Sequence, residues 1–311
     1  VGNPILNVKD LNVSFKIGKH TYPALDDVSF SVMENSIVGV VGESGSGKSL
    51  TAQSILGILP KNAVVESGSI CLDQDELINK STKQWEKLRS NEISMIFQEP
   101  MTALNPLMKV GTQIEEVLKK HTNDPKKVRR EKTIQMMREV GLPRPESLYH
   151  SYPHELSGGM RQRIVIAIAL VNDPKLIIAD EPTTALDVTI QDQILKLLKE
   201  MIRKRNGAML FISHDWGVVT QICDYVLVVY AGKIIEQGPM DELIKSPKHP
   251  YTKGLLQAIP TYQKRGEKLY NIPLRVPALT ERKKGEWPYI KVTEQNRKYI
   301  RDIFPEALQE Q

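Results

Sequence analysis

Apolar and polar positions alternate from Ile5 to Phe15 and again from Val28 to Val32, the pattern of strands with one buried face. Ser36 to Val41 (SIVGVV) is instead continuously apolar and β-branched, which predicts a strand covered on both faces. A glycine-rich stretch follows, and then a helical period from Ser49 to Leu59 that Pro60 should stop. Between about residues 100 and 165 the texture turns helical, over Gln113 to Lys120 and Val128 to Val140, with punctuation at Gly141-Leu142-Pro143 and Pro145. Short apolar strands return at Leu176 to Ala179 and Met209 to Ile212, on either side of a helix from about Thr189 to Arg203. Alternation of strand, helix and strand predicts a parallel α/β sheet, so the helical middle is an insertion within one α/β unit. Beyond about residue 240 comes a tail marked by Pro247, Pro250, Pro260, Pro273, Pro277 and Pro288.

Composition narrows the class without naming it. The chain has 311 residues, 42 Lys and Arg against 37 Asp and Glu, and a net charge of +5. That length supports a core without disulfide staples. Its two cysteines, Cys71 and Cys223, lie far apart in sequence; two cannot build a disulfide framework or a four-thiolate cluster, and they suit a reducing compartment. The longest apolar runs, Ile164 to Val171 and Tyr225 to Ala231, fall well short of the ~18 residues a membrane span needs, and no basic-then-apolar leader opens the chain. The expectation is a soluble intracellular protein that works at a membrane, if at all, as a peripheral subunit. The basic run Lys119 to Lys132 is broken by Asp124-Pro125 and lacks aromatics, which reads as a solvated helix face rather than a nucleic-acid surface.

Chemistry first appears at Gly42-Glu43-Ser44-Gly45-Ser46-Gly47-Lys48-Ser49, a G-x-x-x-x-G-K-[ST] loop between a buried strand and a helix. Glycines let the backbone curl so that N–H groups from about Gly45 to Ser49 face a phosphate, with the dipole of the next helix behind them. Lys48 should reach the β- and γ-phosphates and the Ser49 hydroxyl should coordinate Mg²⁺, with Leu50 beside them in the first turn. Downstream, the apolar strand Leu176 to Ala179 ends in Asp180-Glu181. Asp180 is placed to hold the metal and Glu181 to polarise an attacking water. A competing reading makes the two carboxylates helix caps, because Thr183 and Thr184 follow. Ser157-Gly158-Gly159 opens a further helix and is a second anion-binding turn. Two such sites on one chain are redundant unless two chains share nucleotides.

LSGGMRQR at 156–163 and IIADEPTTALD at 177–187 together resemble the ATP-binding cassette family of transport ATPases, over essentially residues 5 to 260. The resemblance implies a P-loop, RecA-like α/β core (1–98 and 166–240) with an antiparallel β subdomain. It also implies an inserted helical subdomain (99–165) and a C-terminal extension (241–311). Gln98 matches the family's glutamine loop, which contacts Mg²⁺ and attacking water. Asp187, in Ala185-Leu186-Asp187, matches the loop at the dimer interface, and His214 the switch histidine at the γ-phosphate. The adenine-stacking aromatic aligns best with Phe15, with Tyr22 second. The implied mechanism packs two cassettes head to tail, so that Ser157, Gly158 and Gly159 of one face the γ-phosphate held by Lys48 of the other.

Ser246 to Leu256 (SPKHPYTKGLL) resembles the post-cassette motif of the oligopeptide, dipeptide and nickel importers, as do HELSGGMRQR and FQEPMTALNP. That subfamily implies uptake of peptides, or alternatively of nickel chelates or oligosaccharides. The implied partners are a second ATPase, identical or a paralogue, two transmembrane permeases and an extracytoplasmic binding protein, at the cytoplasmic face of the membrane. Residues from about Glu99 to Val110 are the expected permease-docking surface. Many relatives hold an iron–sulfur cluster on tail cysteines; this tail has none, so no cluster is expected. A soluble cassette of translation or repair would show tandem cassettes or a long coiled coil. A GTPase would show N-K-x-D, and neither sign is present.

Overall fold

The computed structural model describes residues 4–184, 186–259, 276–287 and 301. Among the described residues ten strands occur in chain order: β1 (Pro4–Ile17), β2 (His20–Met33), β3 (Ile37–Val41), β4 (Ala63–Leu72), β5 (Asp75–Glu76), β6 (Ile93–Ile96), β7 (Leu176–Asp180), β8 (Ala208–Ser213), β9 (Tyr225–Tyr230) and β10 (Lys233–Pro239). The chain folds as two compact units. The first comprises the described parts of 1–5, 32–37 and 79–211, and the second those of 6–31, 38–78 and 212–311.

In the first unit β6 and β7 pair in parallel, Ile93 opposite Leu176 and Ile96 opposite Ala179, and β8 borders β7. The helix Gly158–Leu170 packs on β6 and on the helices Val110–His121 and Lys126–Glu139. Its run Ile164-Val165-Ile166-Ala167 is buried on every side, as a helix apolar all round must be. Val110–His121 is amphipathic, burying Val110, Ile114 and Leu118 four residues apart. The basic run divides where Asp124-Pro125 interrupts it. Lys132 pairs with Asp124 at 2.7 Å, Arg129 reaches Glu115 at 3.5 Å, and Arg130 lies over the Tyr149 ring.

The second unit contains a four-stranded sheet in the order β2-β1-β4-β5, with β1 antiparallel to β4. A bulge between Lys9 and Val13 shifts the phase of burial, so Val8 and Leu11 are both buried although three positions apart. In the same unit β3 runs parallel to β9, from Val38 opposite Tyr225 to Val41 opposite Val228, and β10 returns antiparallel along β9. All five residues of β3 are buried. The helix after the glycine loop is Lys48–Ile55, shorter than its apolar period, because Gly57 at φ 61° ends it before Pro60 is reached. Tyr225–Tyr230, an apolar run on the sequence, is the strand that completes the setting of β3.

Candidate active site

The phosphate loop lies in the second unit, at the end of β3. Gly42 passes so close to β9 that a Cβ would stand 2.2 Å from the Val229 carbonyl oxygen, so only glycine fits. Gly45, at φ 78°, faces open space, with nothing within 4 Å of where its Cβ would be. Backbone is therefore exposed at Gly45, in a loop of the glycine-rich kind whose successive N–H groups can take phosphate oxygens. Lys48 is buried, and its Nζ donates to the carbonyls of Gly42 at 2.8 Å and Glu43 at 2.9 Å. Burial pushes the Glu43 carboxyl above its ordinary value, against the opposing pull of Lys48 and of the Val276 N–H. Ser44 and Ser49 are exposed, Ser46 is buried, and Gly47 precedes the helix whose first turn holds Lys48, Ser49 and Leu50.

Three other expected residues belong to this unit. His214 is exposed just past β8, where Asp215 caps the helix Trp216–Ile222 by accepting from Gly217 N–H at 2.8 Å. Phe15 is half-buried on β1 opposite Ala63, and Tyr22 is half-buried on β2 beside His20.

The first unit gathers the acids and the Ser-Gly-Gly turn. Asp180 closes β7, and Glu181 follows in the left-handed region at φ 48°. Glu181 Oε2 accepts from Gln98 Nε2 at 3.2 Å and from Thr184 Oγ1 at 3.1 Å. The carboxylate is thus tied to the end of β6 and to its own turn, and the helix cap here is not Glu181. Asp187 takes that place, accepting from Ile190 N–H at 3.0 Å to start Val188–Lys204. Ser157 caps Gly158–Leu170 through Met160 N–H at 3.3 Å. Gly159 packs on Ile190, where a Cβ would meet its Cγ2 at 2.8 Å. The Ser-Gly-Gly turn and the Asp187 loop are therefore neighbours on one surface, on which Ser157 and Asp187 are exposed and Val188 is 81% exposed. The Thr184 contact was invisible in the sequence, where Thr184 signalled only a cap. Arg282, which donates to Gly45 O at 2.7 Å, carried no signal at all.

A phosphate loop in one unit, and an acid pair closing a buried strand with a capped Ser-Gly-Gly helix in the other, define a nucleotide-hydrolysing cassette. The chain belongs to the ABC transporter family, which it matches over residues 25–184, and it is an ATPase of that type. Residues 235–289 also match the oligopeptide/dipeptide transporter C-terminal region. The oligopeptide transport ATP-binding protein OppD of Lactococcus lactis subsp. cremoris (strain SK11) is 46% identical over 277 residues, covering 89% of this chain and 82% of the relative. The dipeptide transport ATP-binding protein DppD of Bacillus subtilis (strain 168) is 48% identical over 276 residues, with 88% and 82% covered. Among solved structures, the ATP-binding cassette MJ0796, dimeric in a post-hydrolysis state with ADP and Pi, superposes with a TM-score of 0.67. It is 26% identical and covers 76% of this chain and 98% of that one. For cbiO1 of Clostridium perfringens the TM-score is 0.68 at 29% identity, with 78% and 92% covered.

Proposed function

We propose that this chain is the ATP-hydrolysing subunit of a peptide importer, working as half of a head-to-tail pair of cassettes beneath two membrane permeases served by an external binding protein. The observation that carries the catalytic part is Glu181, a carboxylate at the end of a buried strand with its oxygen fixed by Gln98 and Thr184. Phe15 stacks the adenine, and Gly42, Ser44, Gly45, Ser46, Gly47, Lys48, Ser49 and Leu50 take the phosphates. Ser157, Gly158, Gly159 and Asp187 act across the dimer, which accords with their shared exposed surface. Ser49, Gln98 and Asp180 would be the oxygen donors for Mg²⁺, a set of the hard ligands that ion prefers. The bound ion would offset the charge of the β- and γ-phosphates.

Glu181 orients a water and accepts its proton as the water oxygen attacks the γ-phosphorus. The bond to the β–γ bridging oxygen breaks, and ADP and phosphate leave. Lys48, Gln98 and His214 stabilise the charge that spreads over the transferred oxygens. Functionally, 1–98 with 166–240 is the ATP-binding core, 99–165 the signature and docking subdomain, and 241–311 the extension. Docking through residues 99–110 is supported by Leu107, 84% exposed in a loop strapped down by Gln113, which accepts from Asn105 N–H and donates to the Asn105 and Met108 carbonyls at 2.9 Å. No helix of the described residues is long and apolar enough to cross a membrane, so the subunit reaches the membrane through these partners. The tail, free of cysteine, carries no iron–sulfur cluster in this reading.

The test is Glu181→Gln, which keeps the hydrogen-bonding shape and removes the base. ATP binding should persist, turnover should fall by 10²-fold or more, and the protein should accumulate as an ATP-bound dimer on size exclusion. Turnover at the unmodified rate would refute the role of Glu181.

A further inference from the structure

The segment 276–287 converges on the phosphate loop from a distant part of the chain, within the same unit. The Val276 N–H hydrogen-bonds the Glu43 carboxylate. Arg282 is 3% exposed, and its Nη2 donates to Gly45 O at 2.7 Å while Nη1 lies 3.5 Å from Ala24 O. Its own orientation is fixed by Nε and Nη2, each 3.2 Å from the Pro277 carbonyl. Farther along, Lys284 pairs with Glu66 at 2.9 Å, and Lys233 lies over the Trp287 ring. A buried guanidinium is tolerated only where carbonyls or carboxylates accept its protons, and one of the carbonyls chosen here belongs to an exposed glycine of the loop.

The consequence follows from peptide geometry. A trans peptide points its C=O and N–H in opposite directions, so fixing the Gly45 carbonyl on Arg282 also fixes the direction of the Ser46 N–H. That N–H donates to Glu43 O at 3.2 Å, so both polar groups of the same peptide are held. Gly45 has no side chain to do this by packing. We infer that the segment 276–287 braces the phosphate loop and that Arg282 is a positioning residue, setting the Gly45–Ser46 peptide in advance for the phosphates of the nucleotide. The inference goes beyond the importer assignment and rests only on this loop receiving the nucleotide.

The experiment uses the full chain and two readouts. One is hydrogen–deuterium exchange of the ligand-free protein over a peptide spanning 42–49. The other is affinity for the Mg²⁺ complex of a non-hydrolysable ATP analogue by calorimetry. Arg282→Ala should speed exchange in that peptide while leaving β1 and β4 unchanged, and should weaken analogue binding about tenfold, the scale of one lost charge-assisted hydrogen bond. Arg282→Lys, which keeps one donor, should recover part of both, and the neighbouring Lys283→Ala should behave as wild type. Unchanged loop exchange and affinity in Arg282→Ala would overturn the brace. So would equal loss of protection across the whole unit in both Arg282 variants. Lys48→Ala serves as the control for the site itself. If it still binds the analogue at full strength, the nucleotide assignment fails, and the loop exchange alone then decides for or against the brace.

Discussion

Tyr149 and Glu115 stand 34 residues apart in sequence, yet the phenol donates to the Glu115 carboxylate in the buried interior of the helical part. Burial, and then the adjacent carboxylate, pushes the Tyr149 hydroxyl up from 10.0 to about 12. Because the folded value is raised, the stability tied to this proton is complete below the unfolded value of 10.0 and disappears as pH climbs through about 12. An alkaline titration followed by tyrosinate absorbance should therefore show a late-ionising tyrosine that Tyr149→Phe deletes. A titration curve unaltered by that substitution would count against the contact. Neither this pair nor the Thr184 hydroxyl at Glu181 could be read from the sequence. Residue-scale chemistry is legible when it is contiguous, as from Gly42 to Ser49, and illegible when the fold must deliver the partner. Gln98 shows the intermediate case: its motif was readable, but its hydrogen bond to a residue 83 positions away was not.

Among the elements, the helix Pro250–Gln257 shows what a recognisable motif is for. His249 precedes it and accepts from Tyr251 N–H at 3.1 Å, Pro250 occupies the first turn where no N–H is needed, and Glu236 of β10 accepts from the N–H groups of Lys248 and His249. Tyr251 is fully buried, its ring edge-on to Tyr230 of β9 at 5.0 Å. Each letter of His-Pro-Tyr thus has a separate physical task in seating the extension. Tyr251→Ala should cost about 3–5 kcal/mol, the range for emptying a buried aromatic site, read as a lower midpoint in denaturant. A loss below 1 kcal/mol would mean that the helix is not anchored by this ring. The long elements were legible because their periods are strong. β1 was read in place but not its bulge, since a phase shift of one residue looks like noise in a short alternation. Likewise the helix after the loop ends on Gly57 rather than Pro60, because a single left-handed residue outranks an apolar period.

Over the whole molecule, the chemistry is divided: the phosphate loop and His214 belong to one unit, and Gln98, Glu181 and the Ser-Gly-Gly turn to the other. Each unit is assembled from separated stretches of chain. The exposed Leu107 loop gives a prediction at this scale. Leu107→Asp should leave ATP binding intact, since the residue faces solvent, while reducing co-purification with the permeases in detergent by tenfold or more, as loss of an apolar anchor does at an interface. Full recovery of the complex would remove residues 99–110 from the docking surface.

The pairing of β3 with β9 has a bearing on biosynthesis. Val38 lies opposite Tyr225, and Gly42 is lodged against Val229. At synthesis rates of about 5–20 residues per second the ~190 residues between these partners take roughly ten to forty seconds to emerge from the ribosome. Throughout that interval the nascent chain carries an apolar strand whose β9 partner has not been made, the kind of unpaired edge that makes a growing chain prone to aggregate.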